Sequence, residues 1–318
     1  MKERIVIINP VYKDLSLEHE ILAPSNYELV VANVHSPNEL VSMMSDAVAL
    51  MTVDVPINGE LVSQLSHCRV VSRMGVGFDC IDVKGCRQHN VEVCYVPDYG
   101  TEDVANHAIA LLFSAHRRLL TYHRSITNGI WDYKVGGQLH NLNELKLGVI
   151  GLGRIGSNFA KKMKIFVKDI YGYDPFISNE KIREQNIHPS STDEIFSECD
   201  IISLHIPLTE KNYHFISSAT IAKMKRQPIF INVSRGGLVD TTALIVGLKT
   251  GQISYACLDV LEDESNINQE LIKLENVLLT PHAAWYSIEA EKQLRTKAIT
   301  DVLRVLNGQK PVYPVPNE

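Results

Sequence analysis

The stretch Leu147-Gly148-Val149-Ile150-Gly151-Leu152-Gly153-Arg154-Ile155-Gly156 runs a short apolar segment into three glycines spaced G-x-G-x-x-G. The apolar segment reads as a buried strand, and the residues from Arg154 onward keep a helical period through Ala160 and Met163. Strand, glycine turn and helix in that order make a cradle for a dinucleotide pyrophosphate. Gly151 permits the tight turn, Gly153 lets backbone amides reach the phosphates, and Gly156 brings helix close to sheet, while the helix N-terminus attracts negative charge. Leu152, Arg154 and Ile155 are the remaining residues of this cofactor turn. The next strand, 170–173, ends at Asp174, where a carboxylate accepts hydrogen bonds from the adenosine ribose and repels a 2'-phosphate. Pro175 and Phe176 follow instead of Arg or Lys, so the expected cofactor is NAD and not NADP.

Outward from this unit, short Val- and Ile-rich runs alternate with helical segments, the pattern of parallel sheets covered on both faces. Two such regions are read. The first takes 5–8, 48–53, 69–72 and 91–95 as strands, with a helix at 60–65 capped by Asn58. The second follows a long amphipathic helix at 101–119 and places strands at Val149, Ile170, Ile201, Phe230, Tyr255 and Leu278. A final helix over 285–307 ends before Pro311, Pro314 and Pro316. The expected fold class is therefore α/β, with two doubly wound parallel-sheet domains.

Composition narrows the function classes. With 45% hydrophobic and 21% charged residues over 318 positions, the chain is globular and not disordered. Its net charge of -6 argues against nonspecific nucleic-acid binding. The six cysteines form no C-x-x-C pair, which predicts reduced thiols in a cytoplasmic protein without disulfides or structural zinc. Residues 5–8 are too short for the core of an export signal, and no apolar run approaches the roughly 18 residues of a membrane span. P-loop, H-E-x-x-H and G-x-S-x-G motifs are missing, and no metal is expected. His107, His116 and His123 lack metal-ligand spacing and read as surface or dimer-contact residues.

Polar residues stand at the ends of the later strands, where open parallel sheets hold their ligands. Arg235 lies after the strand at 228–231, Asp259 and Glu264 after 254–258, and Thr280-Pro281-His282 after 276–279. Singly each has a bland explanation. Together they match hydride transfer to a ketone, which needs a cation to orient the substrate and a proton donor near the carbonyl oxygen. A histidine suits that proton transfer near neutral pH.

With these residues in view, the chain resembles the D-isomer-specific 2-hydroxyacid dehydrogenases over nearly its full length. Gly151 to Gly156, Asn232 to Asp240, the pair Asp259 and Glu264, and Pro281-His282 carry the resemblance. It implies a Rossmann NAD-binding domain, 99–284, inserted in a flavodoxin-like substrate domain, 1–98 with 285–318. It also implies a catalytic triad of Arg235, Glu264 and His282, with an ionised Glu264 stabilising the imidazolium, and a homodimer formed through the 101–119 helix and the segment to Trp131.

The nearest branch is that of the C-terminal-binding proteins and phosphoglycerate-dehydrogenase-like enzymes, through Arg73-Met74-Gly75-Val76-Gly77-Phe78-Asp79 and His282-Ala283-Ala284-Trp285-Tyr286-Ser287. By that resemblance the substrate, a small anionic 2-oxo or 2-hydroxy acid, has its carboxylate on the Val76 and Gly77 amides and on Arg235. Arg73 adds charge and Trp285 shapes the pocket. Val104, Ile206, Pro207, Asn212, Val233, Ser234, Asp259 and Ala283 touch the cofactor.

Pro207-Leu208-Thr209 resembles the dehydrogenases and not the corepressors, which favours an enzyme over an NAD-sensing binding protein. Glu264 departs from the formate dehydrogenases, where the histidine partner is typically glutamine. A phosphite or phosphonate-acid dehydrogenase stands as a further alternative.

Overall fold

The computed structural model describes residues 2–34, 39, 41 and 45–316. The chain divides into two compact units, Met1–Gly100 with Ser287–Glu318, and Thr101–Tyr286.

The first unit is built on five parallel strands, β1 (Glu3–Ile8), β2 (Tyr27–Ala32), β3 (Ala47–Thr52), β4 (Val70–Arg73) and β5 (Glu92–Cys94). Their order is β2-β1-β3-β4-β5, the flavodoxin-like doubly wound arrangement. All six residues of β3 are buried, which is why it reads as an unbroken apolar run instead of an alternating one. β2 was not expected, because the sequence of its exposed edge mixes Glu28 with valines and gives no clean period. Helices α1 (Ser16–Leu22), α2 (Gly59–Ser63) and α3 (Val83–Gln88) belong to this unit. Asn58 caps α2 by accepting from the Leu61 amide at 2.9 Å.

The second unit contains α4 (Thr101–His116), α5 (Leu119–Thr127) and α6 (Arg154–Met163), followed by α7 (Asn179–Glu184), α8 (Thr192–Glu198), α9 (Ser218–Ile221) and α10 (Thr241–Lys249). Its seven parallel strands are β6 (Lys146–Ile150), β7 (Asp169–Tyr173), β8 (His188–Pro189), β9 (Ile201–Leu204), β10 (Ile229–Asn232), β11 (Tyr255–Leu258) and β12 (Val277–Leu279). They run β8-β7-β6-β9-β10-β11-β12, so the winding reverses between β6 and β9. Open α/β sheets bind ligands at that reversal, beyond the carboxyl ends of the strands. Leu147, Val149 and Ile231 face a core with Leu111, Leu112, Phe159 and Met163. Ile150, Ile202 and Phe230 face the opposite core with Phe196, Leu244 and Leu248. Both faces are covered, and the expectation of two doubly wound parallel sheets holds.

Two helices differ from the sequence reading. The expected 101–119 helix ends at His116, because Arg118 takes a left-handed conformation, φ 54°, and α5 starts afresh at Leu119. The Arg118 guanidinium lies 5.1 Å from the centroid of the Tyr255 ring, a cation–π contact that helps hold the break. Apolar periodicity runs across the junction because both segments favour helix. The last helix, α11 (Ile288–Leu306), returns to the first unit and starts three residues later than expected: the Ser287 side chain accepts from the Ala290 amide at 3.0 Å and sets its beginning. Trp285 therefore stands in a turn.

Candidate active site

At the end of β6 the chain turns through Gly151, whose φ of 94° is one that L side chains rarely adopt. A Cβ on Gly156 would lie 1.9 Å from the Gly151 carbonyl oxygen, so α6 packs directly onto the turn only because that residue is glycine. Gly153 is the N-cap of α6 and carries no side chain to satisfy the first amides of the helix. A Cβ built there meets nothing within 4 Å. Open space, helix amides and a dipole of the right sign together fit a pyrophosphate. Next to it the Asp174 carboxylate accepts from the Leu152 amide at 2.9 Å and from the Phe176 amide at 2.9 Å. Both bonds fix the carboxylate beside the turn, where it suits a ribose diol and opposes an added phosphate. These residues fit a bound NAD.

Across the reversal, the loop after β9 is closed by Asn212. Its side chain donates to the Pro207 carbonyl at 2.8 Å and accepts from the Thr209 amide at 2.7 Å. Ile206 packs on the Gly151 turn, and Val104 is buried at the start of α4. After β10, the fully buried Asn232 organises the next loop: it donates to the Arg235 carbonyl at 2.8 Å and accepts from the Ser234 amide at 3.0 Å. Ser234 donates to the Leu204 carbonyl at 2.7 Å, tying this loop to β9. Val233 is buried, and the half-buried Arg235 donates from Nη1 to the Ser234 carbonyl at 2.9 Å. In the sequence Asn232 stands out only as the start of a motif; its structural part is hidden there because a buried asparagine reveals its partners only in three dimensions.

His282 follows β12, and its Nδ1 lies 3.1 Å from the Glu264 carboxylate. Its backbone is left-handed, φ 54°. Burial pushes the Glu264 carboxyl up, but the hydrogen bond and charge of His282, a backbone bond at Leu261 and the charge of Arg235 outweigh it and hold the group below its ordinary value. The sign follows from the depression: the ionised Glu264 and its bond to His282 persist through neutral and mildly acid pH, and are lost only as pH falls below the usual carboxylate range of about 4.3. With Nδ1 engaged, Nε2 of His282 is the nitrogen left for a substrate.

Asp259, 2% exposed, supports this turn. Oδ1 accepts from the Ala283 amide at 2.9 Å and from the Thr280 hydroxyl at 2.5 Å, and Oδ2 accepts from the Ala284 amide at 2.9 Å. Trp285 packs edge-on to Tyr286 and against the α4 and α6 core.

One expectation about the histidines is corrected: His116 is buried, with Nε2 3.0 Å from the His140 carbonyl. His107 keeps a partly exposed side chain, but its Nε2 also lies 3.0 Å from Thr280 Oγ1 and 3.5 Å from Asp259 Oδ1, partners the sequence reading does not foresee. Neither shows in the spacing, because a helical period gives a face and not the loop that packs on it. His123 is exposed.

In the first unit, Arg73 ends β4 and donates from Nη1 to the Met74 carbonyl at 3.1 Å. Its guanidinium fills the space a side chain at Gly75 would occupy. The amides of Val76 and Gly77, next in the turn, donate to no backbone carbonyl among the described residues. A cation and two such amides in one turn suit an anion.

Among the described residues, no three His, Cys, Asp or Glu side chains gather to hold a metal, and no helix is long and apolar enough to cross a membrane.

Residues 109–284 match the family profile described as D-isomer specific 2-hydroxyacid dehydrogenase, NAD binding domain. D-3-phosphoglycerate dehydrogenase of Methanocaldococcus jannaschii is 33% identical over 311 residues, 96% of this chain and 58% of that protein. The chain thus spans little more than half the length of that relative. Glyoxylate reductase of Korarchaeum cryptofilum is 33% identical over 293 residues, 91% of this chain and 86% of the relative. Among solved structures, a D-lactate dehydrogenase from Aquifex aeolicus complexed with NAD and lactic acid superposes with a TM-score of 0.85 at 28% identity, covering 96% of each chain. Sequence similarity across nearly the whole chain and a shared tertiary structure lead to one conclusion: this protein belongs to the D-isomer specific 2-hydroxyacid dehydrogenase family, on its phosphoglycerate-dehydrogenase-like side.

Proposed function

We propose that the chain is an NAD-dependent D-2-hydroxyacid dehydrogenase that interconverts a small anionic 2-oxo acid and its 2-hydroxy acid. The observation that carries this reading is the 3.1 Å contact of His282 Nδ1 with Glu264, on the same sheet edge as the Gly151–Gly156 cradle. The cradle amides hold the pyrophosphate of NAD, and Asp174 holds the adenosine ribose. When bound, the nicotinamide supplies the hydride for reduction and accepts it in oxidation. His282 gives a proton from Nε2 to the carbonyl oxygen during reduction and takes it back during oxidation. Glu264 orients the ring through Nδ1 and stabilises its positive charge. Arg235 offers the substrate its donor fork. Arg73 and the Val76 and Gly77 amides are assigned to the substrate carboxylate, and Trp285 to the substrate side chain.

An NADH-oxidation screen over glyoxylate, pyruvate, hydroxypyruvate, phenylpyruvate, branched 2-oxo acids and phosphorylated analogues tests this reading. At least one of them is turned over, and Arg73→Ala raises KM for it roughly tenfold, the order of one charge-assisted hydrogen bond. No turnover of any would favour the NAD-sensing binding protein instead.

Cofactor choice has its own test. Asp174→Ala weakens NADH binding roughly tenfold to a hundredfold and narrows the gap to NADPH, because bonds to an ionised acceptor are lost along with a repulsive charge. Unchanged preference in fluorescence titrations with both nucleotides refutes the assignment.

We further propose a homodimer. The apolar side chains Ala108, Leu111 and Leu112 of α4 are buried within the chain and are not available to a second copy. The exposed apolar groups lie further on, at Leu119, Ile126, Ile130, Trp131 and Tyr133, with Trp131 87% and Tyr133 78% exposed. So large an uncovered apolar row is the mark of a protein interface. Six free cysteines suit a reducing compartment, and the cytoplasm is the location we assign on that ground.

A further inference from the structure

We propose that His107 is a positioning residue for the His282 turn, acting through Thr280 and Asp259. This rests on the reading of His282 as the proton donor, and it assigns a function to a side chain that lies in no motif.

The proton inventory gives the direction of the relay. Asp259 Oδ1 and Oδ2 each accept a backbone N–H, from Ala283 and Ala284 at 2.9 Å, so both oxygens act as acceptors. Thr280 has one hydroxyl proton, and it is given to Asp259 Oδ1 at 2.5 Å. The 3.0 Å contact between Thr280 Oγ1 and His107 Nε2 must then be donated by the histidine, which fixes the proton on Nε2. The sequence of donors is His107 to Thr280 to Asp259, and Asp259 in turn clamps the two amides that follow His282.

That clamp has a strained segment to hold. His282 sits at φ 54°, a left-handed conformation that strains a non-glycine residue. Its own amide is bonded to the Asp259 carbonyl at 2.8 Å. Asp259 thus grips the turn by backbone and by side chain, and His107 is the group on α4 that braces Asp259 from outside the loop. Losing the brace lets the carboxylate and the 283–284 amides shift, and the imidazole with them. Small misplacements of a proton donor lower kcat before they affect cofactor binding.

The test compares His107→Leu, which loses the donor, with His107→Gln, whose amide nitrogen can still donate, using glyoxylate or the best substrate of the screen. His107→Leu lowers kcat about tenfold with Tm close to wild type, while His107→Gln stays within about threefold of wild type. Thr280→Val repeats the loss, and the double variant is no worse than either single one, because both break the same relay. Hydrogen exchange at the Ala283 and Ala284 amides gives a readout without turnover: about tenfold faster in His107→Leu, unchanged in His107→Gln. Equal kcat losses in the Leu and Gln variants, or exchange unaltered in the Leu variant, overturn the proposal. A wild-type chain with no 2-oxo acid activity but with the predicted exchange pattern defeats the functional reading and leaves the brace standing.

Discussion

Replacing His282 by asparagine lowers kcat by roughly 10²- to 10⁴-fold, the range associated with losing a positioned general acid and base. Asparagine is the informative substitution because the position is left-handed, φ 54°, a region asparagine tolerates better than most residues. Backbone strain is thereby kept apart from proton transfer. His282→Ala gives the same loss of chemistry with added strain in the turn. NADH affinity, read by fluorescence quenching, stays near wild type in both, since the Gly151–Gly156 cradle and Asp174 are untouched. Glu264→Gln is milder: the ring keeps a hydrogen-bonding neighbour and loses a charge. Wild-type turnover in His282→Asn would remove the central role assigned to this ring.

The second large effect concerns stability. Arg295 of α11 is nearly buried and meets Glu18 of α1, which is 0% exposed, in a bidentate pair at 2.7 and 2.6 Å. It also donates to Glu291 at 2.9 Å and to the Asp14 carbonyl, and lies 4.7 Å over the Tyr12 ring. Removing Arg295 strands the Glu18 carboxylate away from water, and Arg295→Ala is expected to destabilise the first unit by about 3–5 kcal/mol. Removing both members at once gives the contrast. Glu18→Leu with Arg295→Met recovers most of the loss, because apolar packing replaces the pair without leaving a charge behind. Thermal and urea melts of the single and double variants measure this directly. Single variants as stable as wild type would show that water reaches the pair.

The placement of such groups along the chain explains which of them can be read from sequence. Gly151, Gly153 and Gly156 are legible because backbone conformation and close approach leave a local record: no other residue fits, and the strand before and helix after have their own periods. Asp174 is legible for the same reason, lying at the end of the next strand. The candidate triad can be assembled from strand ends, since a parallel sheet brings the carboxyl ends of its strands to one edge whatever the distance in sequence.

Other features leave no such record. The break at Arg118 escapes notice because α4 and α5 both have helical composition, and the contact that favours the break, with Tyr255, lies far along the chain. The bond from His107 to Thr280 spans 173 positions, and that from Arg295 to Glu18 spans 277. A histidine on a helix and a glutamate near an N-terminus look like surface residues until their partners are known.

The sequence by itself determined the alternation of strand and helix and the glycine cradle, which follow from short-range sterics and hydrophobic period, and it placed Arg235, Glu264 and His282 after successive strands of one parallel sheet. Tertiary structure decided which buried polar groups find partners: Asp259 beneath the His282 turn, His107 behind it, and Arg295 against Glu18. A charge or hydrogen-bonding group survives burial only where its complement is delivered by packing, and packing is a property of the folded chain as a whole.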